Sequence, residues 1–592
     1  MDKIKLLQKK LIQNEIDAYI VPSADEHNSE YLSDYYKARS YLSGFTGSAG
    51  TLLITQKKAF LWTDGRYYIQ ASKQIEGKGI TLMKQGTTGV PTLSEFITTN
   101  FMENSVIAFD GKVMSASFVL NLLKKDRTLQ INDSLDLISE IWEDRPRLPF
   151  SFLYKLEDFF TGCTFKQKLE SIRKEMLKEK ATLHILSSLE DQAWLYNLRA
   201  NDIPHTPVFF AFTIIDIENC HLFIERKKLD KLVEKYLKEN NIIVHEYTEF
   251  YEYLKSINGK SILIDLNKAN YTIYSSIIAQ NEIINHEDPS LLLKAIKNDI
   301  EIKNLKHAHI KDGVAFTKLM YYIKKNITEE TAMSEISVTN YLYKLRQSQE
   351  SFVDISFETI CAYKEHGAMM HYSATQETNY TLEPSDFLLI DSGGHYLDGT
   401  TDITRTLALG ELSDIQKLHF TTVLKSVIAL SEAVFLKGVK GLNLDILARG
   451  PIWKLYLDYK CGTGHGVGYL LSVHEAPNGF RWQIVPERND STVFIPGMVT
   501  TNEPGIYLEN RYGIRIENEM VCIEKGKSEF GEFLGFETIT YAPIDLDAIE
   551  VSLLSTEEKD WLNQYHKTVY KMISPYLEDD EKDWLKKYTR EI

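Results

Sequence analysis

The segment FLLIDSGGHYLDGTTDITR, residues 387–405, brings two acidic side chains close together along the chain. Asp391 ends an apolar run, and Asp402 begins a second strand-like run. The turn residues Leu397–Gly399 between them predict a hairpin that carries the two carboxylates on adjacent strands. Taken alone, each aspartate is better explained as a merely hydrogen-bonded residue, one near a turn and one at a strand edge. Two buried like charges are costly, however, and a bound cation removes that cost.

Three further candidate ligands follow in the same half of the chain. His465 lies in GTGHGVG, Glu503 in NEPG and Glu517 in RIEN. Each also has a plain interpretation: a flexible glycine loop, a turn before Pro504 and a solvent-facing strand. Four carboxylates and one imidazole in one region are nevertheless the donor set that hard divalent cations require. Since two adjacent cations can activate water and polarise a carbonyl, the ordered set predicts a metallohydrolase.

Composition narrows the class of protein. The chain has 592 residues, a net charge of −16 and 43% hydrophobic residues, which is typical of a soluble protein with several cores. The acidic balance argues against nucleic-acid or anionic-membrane partners. No apolar stretch approaches the ~20 residues that span a bilayer, and residues 1–10 lack the apolar core of a signal peptide. The 5 cysteines have no paired spacing, which favours a reducing, cytoplasmic location.

The first half of the chain contains a weak internal repeat. Residues 4–30 and 169–191 both follow the order amphipathic helix, strand, then a serine-started acidic turn. This order predicts two tandem α/β domains, followed by a β-rich half that carries all five candidate ligands and by a helical tail. The predicted domains are 1–150, 151–290, 291–535 and 536–592.

Two helices at the ends of the chain are predicted from local patterns. The N-terminal helix carries Ile4, Leu7 and Leu11 on one face. The tail contains a helix opened by a capping box in residues 555–558. Its aromatic residues, including Trp561, are expected to pack in the core, with an oligomer contact as the alternative.

The ordered ligand set resembles that of the pita-bread metallopeptidases, and within them the three-domain, cytosolic-type Xaa-Pro aminopeptidases (aminopeptidase P). Further segments outside the metal motifs carry the same resemblance, so that it covers nearly the full length: residues 43–51, 61–70, 193–199, 207–210 and 561–566. It implies two creatinase-N-like α/β domains ahead of a pita-bread catalytic domain with a C-terminal helical extension.

The resemblance also implies a dinuclear centre. Its ions would be Mn²⁺ most often, with Zn²⁺ or Co²⁺ as alternatives. The implied ligands are Asp391, Asp402, His465, Glu503 and Glu517. Asp402 and Glu517 would bridge the ions, and a bridging hydroxide would attack the scissile carbonyl.

Other residues receive roles from the same resemblance. Glu503 would handle the proton, while His371 and His474 would steady the substrate and the tetrahedral intermediate. Arg515 would orient the ligand carboxylates. His366, by contrast, is interpreted as structural.

Two positions each allow two interpretations. Cys461 stands where relatives often have a histidine that shapes the proline-side pocket, so leaving-group binding is in question there. Its plain interpretation is a small apolar packing residue. Arg66 follows Asp64–Gly65, which is either a simple turn with an exposed arginine or, as in the relatives, a segment that influences the amino-terminal side of the substrate.

The implied activity is removal of the first residue from peptides with proline second, by a homodimer that binds neither nucleic acid nor membrane. The alternative from another class is a non-catalytic binding protein, although such a protein is expected to have lost ligands. Among enzymes, a creatinase-like amidinohydrolase would lack the ligand set and a methionine aminopeptidase would lack the two leading domains. A prolidase would cut only dipeptides, which an experiment must decide.

Overall fold

The computed structural model describes residues 2–327, 332–485 and 490–592. The chain divides into two compact units, the first Met1–Leu156 with Cys163–Leu291 and the second Glu157–Gly162 with Leu292–Ile592. Within the described stretches, no helix combines the length and the apolar composition needed to cross a membrane.

Helices occur throughout the chain. In order they are α1 (Lys3–Gln13), α2 (Ala38–Ser43), α3 (Tyr68–Gln74), α4 (Leu93–Asn100), α5 (Ala116–Lys125), α6 (Asp158–Thr161), α7 (Phe165–Lys178), α8 (Leu189–Tyr196), α9 (Lys231–Glu239), α10 (Phe250–Ser256), α11 (Tyr271–Ile277), α12 (Pro289–Ala295), α13 (Asp299–Asn326), α14 (Glu335–Gln347), α15 (Asp414–Ser431), α16 (Gly441–Trp453), α17 (Thr556–Ile573) and α18 (Asp579–Tyr588).

The first unit contains two six-stranded sheets and one short pair of strands. Its strands are β1 (Ala18–Val21), β2 (Thr51–Thr55), β3 (Ala59–Thr63), β4 (Ile80–Lys84), β5 (Val106–Ala108), β6 (Gln130–Asn132), β7 (Tyr154–Lys155), β8 (Leu183–Leu186), β9 (Leu198–Arg199), β10 (Ala211–Asp216), β11 (Cys220–Ile224), β12 (Ile242–His245), β13 (Ser261–Ile264) and β14 (Glu282–Asn285). β7 pairs with β9.

The two large sheets have one topology. Their strand orders are β4-β3-β2-β1-β5-β6 and β12-β11-β10-β8-β13-β14. In the first, β1–β2 and β2–β3 are antiparallel and the outer pairs are parallel. In the second, β8–β10 and β10–β11 are antiparallel and the outer pairs are parallel. The predicted pair of tandem α/β domains is therefore confirmed.

Helix α1 covers the first sheet as its sequence pattern predicts. Leu7 and Leu11 are fully buried in a core with strand residues such as Leu52, and Ile4 packs against that core. The side chain of Asp2 caps the helix by accepting from the amide of Lys5. Burial of one apolar face therefore holds this helix in place.

The second unit contains the remaining strands. They are β15 (Phe352–Ile355), β16 (Ile360–Tyr363), β17 (Phe387–Ser392), β18 (Gly394–Tyr396), β19 (Gly399–Thr400), β20 (Ile403–Ala408), β21 (Val434–Leu436), β22 (Gly464–Gly466), β23 (Glu475–Phe480), β24 (Val499–Asn502), β25 (Gly505–Leu508), β26 (Tyr512–Arg515), β27 (Asn518–Ser528) and β28 (Gly531–Thr538). The main sheets are β16-β17-β20 and β21-β28-β27-β24-β22-β23, with smaller groups β15-β18-β19 and β25-β26.

The C-terminal helices pack against the core of the second unit. The capping box of α17 forms, with Ser555 accepting from the amide of Glu558. The rings of Trp561 and Tyr565 stack at 5.3 Å, and the hydroxyl of Tyr565 contacts the buried Arg405 at 2.7 Å. Trp584 also packs on this core. The expectation that the tail's aromatic residues serve packing is confirmed.

Candidate metal centre

The hairpin predicted for residues 387–405 forms, and a second, smaller hairpin lies inside it. β17 pairs antiparallel with β20, which sets Asp391 opposite Thr404. Between them β18 and β19 form a smaller hairpin whose turn contains Leu397. Asp402 directly precedes β20, and the two aspartates are only 8% and 4% exposed. The hairpin thus buries both carboxylates in one place.

His465 lies on β22 of the larger sheet, and its side chain faces Asp402 of this hairpin. Its Nδ1 lies 2.9 Å from the carbonyl oxygen of Gly466, so Nδ1 carries the proton and donates it. The other nitrogen, Nε2, lies 3.6 Å from Asp402 Oδ2 and 3.2 Å from Glu503 Oε1, and a bound cation would displace the proton that Nε2 carries when the ring is charged. A fixed tautomer of this kind is what a metal-binding imidazole needs.

Glu517 completes a compact three-residue group. Its amide donates to the carbonyl of Thr404 at 3.1 Å, and the Thr404 hydroxyl donates to Glu517 Oε2 at 2.7 Å. Asp402, His465 and Glu517 each offer one ligand atom, and these atoms lie within 4.8 Å of one another. Glu517 is fully buried, so the interpretation of this segment as a solvent-facing strand is wrong.

Arg515 pairs with the carboxylate of Asp391 and contacts that of Glu517 through the hydroxyl of Thr404. Its guanidinium pairs with Asp391 Oδ2 and donates to the hydroxyl of Thr404 at 3.0 Å and of Tyr507 at 2.8 Å. Since Thr404 in turn donates to Glu517, one arginine orients two of the acidic residues. This geometry suits the orienting role expected for Arg515.

The electrostatics of the acidic cluster, which consists of Asp391, Asp402, Glu503 and Glu517 with His465, favour a bound cation. Burial raises the pKa of Asp402 well above its usual range, and the charge of Glu517 adds to the rise. The pKa of Glu517 is likewise raised by burial and by the charge of Asp391. Burial also acts to raise the pKa of Glu503, but the hydrogen bond and charge of His465 lower it to about 2. Ionised side chains this close are stable together only with compensating positive charge.

Unsatisfied oxygens point to the same conclusion. Within the described residues, Oδ1 of Asp391 and Oδ1 of Asp402 are buried without a hydrogen-bond partner. Buried charged oxygens are normally paired, hydrogen-bonded or metal-bound. The donor set of oxygens with one imidazole fits two hard divalent cations, with Glu503 and Asp391 flanking the compact group.

His474 lies next to the cluster. Its ring centroid is 4.4 Å from that of His465, nearly perpendicular. The following residue, Glu475, is buried and pairs with Lys297 and, at 3.4 Å, with Lys294. These ion pairs anchor the start of β23, and so fix the position from which His474 projects.

His371 follows a segment that packs closely on strand β26. A Cβ on Gly513 would lie 1.7 Å from the carbonyl oxygen of Gly367, so glycine is required for this approach. The contact places the short 3₁₀ helix Lys364–Ala368 beside the strand that carries Arg515. His371 lies half-buried in the turn that follows.

His366 has a structural environment, as expected. Its Nδ1 lies 2.8 Å from Glu335 Oε1, and its ring stacks on Tyr372 and Tyr380 at 4.3 and 3.9 Å. Glu335 also accepts from the hydroxyl of Tyr372 at 2.9 Å. The buried histidine is thus part of a packed polar cluster.

Cys461 is a free thiol that packs against the hydrophobic core of the second unit. Burial raises its pKa to about 11, and the charge of Glu503 contributes. The carbonyl of Cys461 accepts from the guanidinium of Arg449 at 3.2 Å, which fixes the backbone four residues before His465. These contacts support the packing interpretation.

Arg66 is not a solvent-exposed turn residue. It lies between β3 and α3, and donates to both carboxylate oxygens of Asp64, at 2.9 and 2.8 Å. Its side chain is only 9% exposed. The alternative of an exposed arginine is therefore wrong, and the bidentate pair gives this loop a defined conformation within the first unit.

Sequence reasoning missed two buried residues behind the cluster. Glu519 Oε1 accepts from the amide of Asp402 at 2.6 Å, and its Oε2 lies 3.2 Å from Nε2 of His309 on α13. The available signal was the spacing of Glu517 and Glu519, which puts both on one face of an extended segment. Nothing local pointed to His309.

Comparison with known families accounts for nearly the whole chain. The model for the creatinase/prolidase N-terminal domain matches residues 3–141, and a second model of that description matches 144–301. The model for metallopeptidase family M24 matches residues 303–524, and that for the C-terminal region of this peptidase family matches 532–592.

The similarity to individual relatives extends over nearly the whole chain. The chain is 37% identical to aminopeptidase P2 of Arabidopsis thaliana over 95% of this chain and 84% of the relative. It is 36% identical to Xaa-Pro aminopeptidase 1 of Dictyostelium discoideum, covering 97% and 93%. The crystal structure of X-prolyl aminopeptidase from Caenorhabditis elegans, described as a cytosolic enzyme with a di-nuclear active site, matches with a TM-score of 0.93 at 34% identity, covering 98% and 95%. This chain therefore belongs to the Xaa-Pro aminopeptidase group of the M24 metallopeptidases, with two creatinase-type α/β domains ahead of a pita-bread catalytic domain.

Proposed function

We propose that this chain is a metalloaminopeptidase that releases the first residue of peptides whose second residue is proline. The observation that carries the proposal is the compact group of the buried Asp402 and Glu517 with the half-buried His465, flanked by Asp391 and Glu503. The full-length similarity to Xaa-Pro aminopeptidases supports the substrate class. Proline has no amide hydrogen and a fixed φ, so the bond before it needs a dedicated site.

The residues of the cluster have separable tasks. Two divalent cations held there would supply an activated water and neutralise charge that develops on the substrate carbonyl oxygen. Glu503 lies 3.2 Å from His465 and flanks the compact group, so its carboxylate is placed to accept the proton of the attacking water. Arg515 keeps Asp391 oriented. We assign His474 and His371 to contacts with the substrate and the tetrahedral intermediate.

Manganese is the proposed ion. The predominance of carboxylate oxygens favours Mn²⁺ over softer metals, while the single imidazole keeps Zn²⁺ and Co²⁺ as alternatives. For the remaining assigned positions, we propose that Cys461 borders the proline side of the substrate and that Arg66 influences its amino-terminal side.

The substrate class is tested with short peptides. Protein stripped with a chelator and reconstituted with Mn²⁺, Zn²⁺ or Co²⁺ is expected to release arginine from Arg-Pro-Pro, fastest with Mn²⁺. Chelator-treated protein should be inactive, because the nucleophile and the charge compensation both depend on the ions. Arg-Ala-Pro serves as the matched control and should remain intact. Uncleaved Arg-Pro-Pro with every metal would reject the proposal, and cleavage of Gly-Pro alone would make the protein a prolidase.

We place the protein in the cytoplasm. The five cysteines all lie in the described part of the chain and form no disulfide. This state suits a reducing compartment. The similar structure from Caenorhabditis elegans is described as that of a cytosolic enzyme.

We also propose a homodimer, formed through the second unit, which is called the catalytic unit below because it carries the candidate metal centre. An aromatic patch lies on its surface: Trp453 and Trp482 meet edge-to-face at 6.2 Å, and Tyr456 and Ile484 are 99% and 62% exposed. Clustered exposed aromatic residues are typical of a protein interface. A second copy is the proposed occupant, because symmetric pairs are the commonest soluble oligomers.

Replacing Tyr456 and Trp482 together with serine is expected to convert dimer to monomer, since aromatic anchors carry much of the binding energy at interfaces. Sedimentation velocity at micromolar protein measures the change. Phe530→Ser, which alters an aromatic residue that is 77% exposed elsewhere on the same unit, is the control and should stay dimeric. A monomeric wild type, or a dimeric double variant, would contradict the proposed interface.

A further inference from the structure

Two histidines meet on the second sheet of the first unit, outside the catalytic unit. His221 lies on β11 and His245 ends β12, and these strands pair in parallel with Phe223 opposite His245. His221 Nδ1 is 3.0 Å from His245 Nε2. Both side chains remain partly accessible, at 12% and 23% exposure. The pair is therefore partly open to solvent.

The facing nitrogens share a single proton. One ring donates and the other accepts, so moving that proton to the outer nitrogen of the donor ring leaves both rings neutral, with two lone pairs directed toward the same space. Tetrahedral Zn²⁺ with Zn–N bonds of about 2.0–2.1 Å requires nitrogens roughly 3.4 Å apart. The observed 3.0 Å lies close to this value, and a modest rotation of the partly exposed rings supplies the difference.

The outer nitrogens of the pair each face a carboxylate. His221 Nε2 is 4.0 Å from Asp216 Oδ2, and His245 Nδ1 is 3.9 Å from Glu249 Oε2. Metal-binding histidines usually direct the nitrogen that does not bind the ion toward a carboxylate or carbonyl, which fixes the ring and strengthens the ligand. At 4.0 and 3.9 Å the two carboxylates lie beyond direct hydrogen-bond distance, but both place negative charge beside the outer nitrogens.

Aromatic side chains hold the two rings in place. Phe223 stacks on His245 with centroids 4.6 Å apart and an interplanar angle of 15°. Tyr253 contacts both rings at 5.5 Å. Burial lowers the pKa of His221 and of His245, and the neighbouring imidazole adds to the effect for His221. The rings are thus preoriented and neutral, the state in which imidazole binds metal.

We propose that His221 and His245 form a zinc site on the second α/β domain, separate from the catalytic centre, with water completing the coordination. Paired imidazoles select Zn²⁺-like ions, whereas the carboxylate-rich centre of the catalytic unit suits harder cations. The site needs no residue of the catalytic cluster, so it stands whether or not the proposed peptidase activity is correct.

The test counts Zn²⁺ bound to the full chain by equilibrium dialysis at micromolar free zinc. The wild type is expected to bind one more ion per chain than His221→Ala or His245→Ala. His286→Ala removes an exposed histidine of the same domain and should bind as many ions as the wild type. Added Zn²⁺ should also raise the melting temperature of the wild type more than that of either pair variant, because an ion bound only to the folded state stabilises it.

Equal zinc counts in the wild type and both pair variants would overturn the proposal. Circular dichroism checks that the variants are folded. If an alanine variant fails this check, His221→Asn and His245→Gln keep a polar side chain in each position while removing the imidazole. Peptide hydrolysis with Mn²⁺ should be unchanged in the folded variants, which separates loss of this site from damage to the catalytic unit.

Discussion

Asp402→Asn is expected to abolish peptide hydrolysis and to weaken metal binding by more than about 100-fold. Changes behind a metal ligand commonly cost 10- to 100-fold in affinity or activity, so loss of a ligand itself should cost at least as much. Asp402 belongs to the compact group with His465 and Glu517 and has an unpaired buried oxygen. An amide at this position keeps the shape of the side chain but removes its charge.

The same substitution should increase the stability of the metal-free protein. The pKa values of Asp391, Asp402 and Glu517 are all raised in the folded state, first by burial. The folded chain therefore holds protons more tightly than the unfolded chain, and its stability without metal falls as pH rises from the ordinary carboxyl pKa through the raised values. Removing one of these groups should make that fall shallower.

Thermal unfolding in chelator across this pH range, with calorimetric titration of Mn²⁺, measures both effects. Asp414→Asn at the exposed start of α15 is the matched control and should behave as the wild type in both measurements. An active Asp402→Asn enzyme would contradict the assignment of Asp402 as a ligand. A metal-free variant with the full pH dependence of the wild type would contradict the electrostatic account of the cluster.

The sequence predicted the parts of this molecule that depend on local pattern. The repeated helix–strand–turn order led to two domains whose sheets share one strand order. The turn residues near Leu397 led to the pairing of β17 with β20. Both signals arise from short-range backbone preferences, which act within a few residues of the chain.

The environment of the site required the three-dimensional fold. Alternation around Glu517 did not distinguish a surface strand from a buried one, because Ile514, Ile516, Arg515 and Glu517 are all buried. Arg66 was ambiguous for the same reason, since a turn motif does not reveal that the arginine folds back onto its own aspartate. Burial is set by which segments pack together, and no local pattern encodes that.

The carboxylate behind Asp402 provides the second large effect. Glu519 is fully buried and accepts from the amide of Asp402 at 2.6 Å, a contact between residues 117 positions apart. A bond from an amide to an ionised carboxylate is roughly twice as strong as one to a neutral acceptor. Because this amide belongs to a proposed metal ligand, Glu519 would position that ligand from behind.

Glu519→Gln is accordingly expected to weaken Mn²⁺ binding by about 10- to 100-fold, with little change in KM for Arg-Pro-Pro at saturating metal. His309→Gln should act in the same direction but less strongly, since His309 lies 3.2 Å from Glu519, which in turn accepts from the amide of Asp402. Calorimetric metal titration and peptide kinetics at limiting and saturating Mn²⁺ separate the two parameters. Glu537 lies on β28, the strand next to the one that carries Glu519, and pairs with Lys306. Glu537→Gln is the control and should leave metal affinity unchanged. If Glu519→Gln lowered only the melting temperature and retained wild-type metal affinity, Glu519 would be a packing residue, because a positioning role requires the ligand itself to respond.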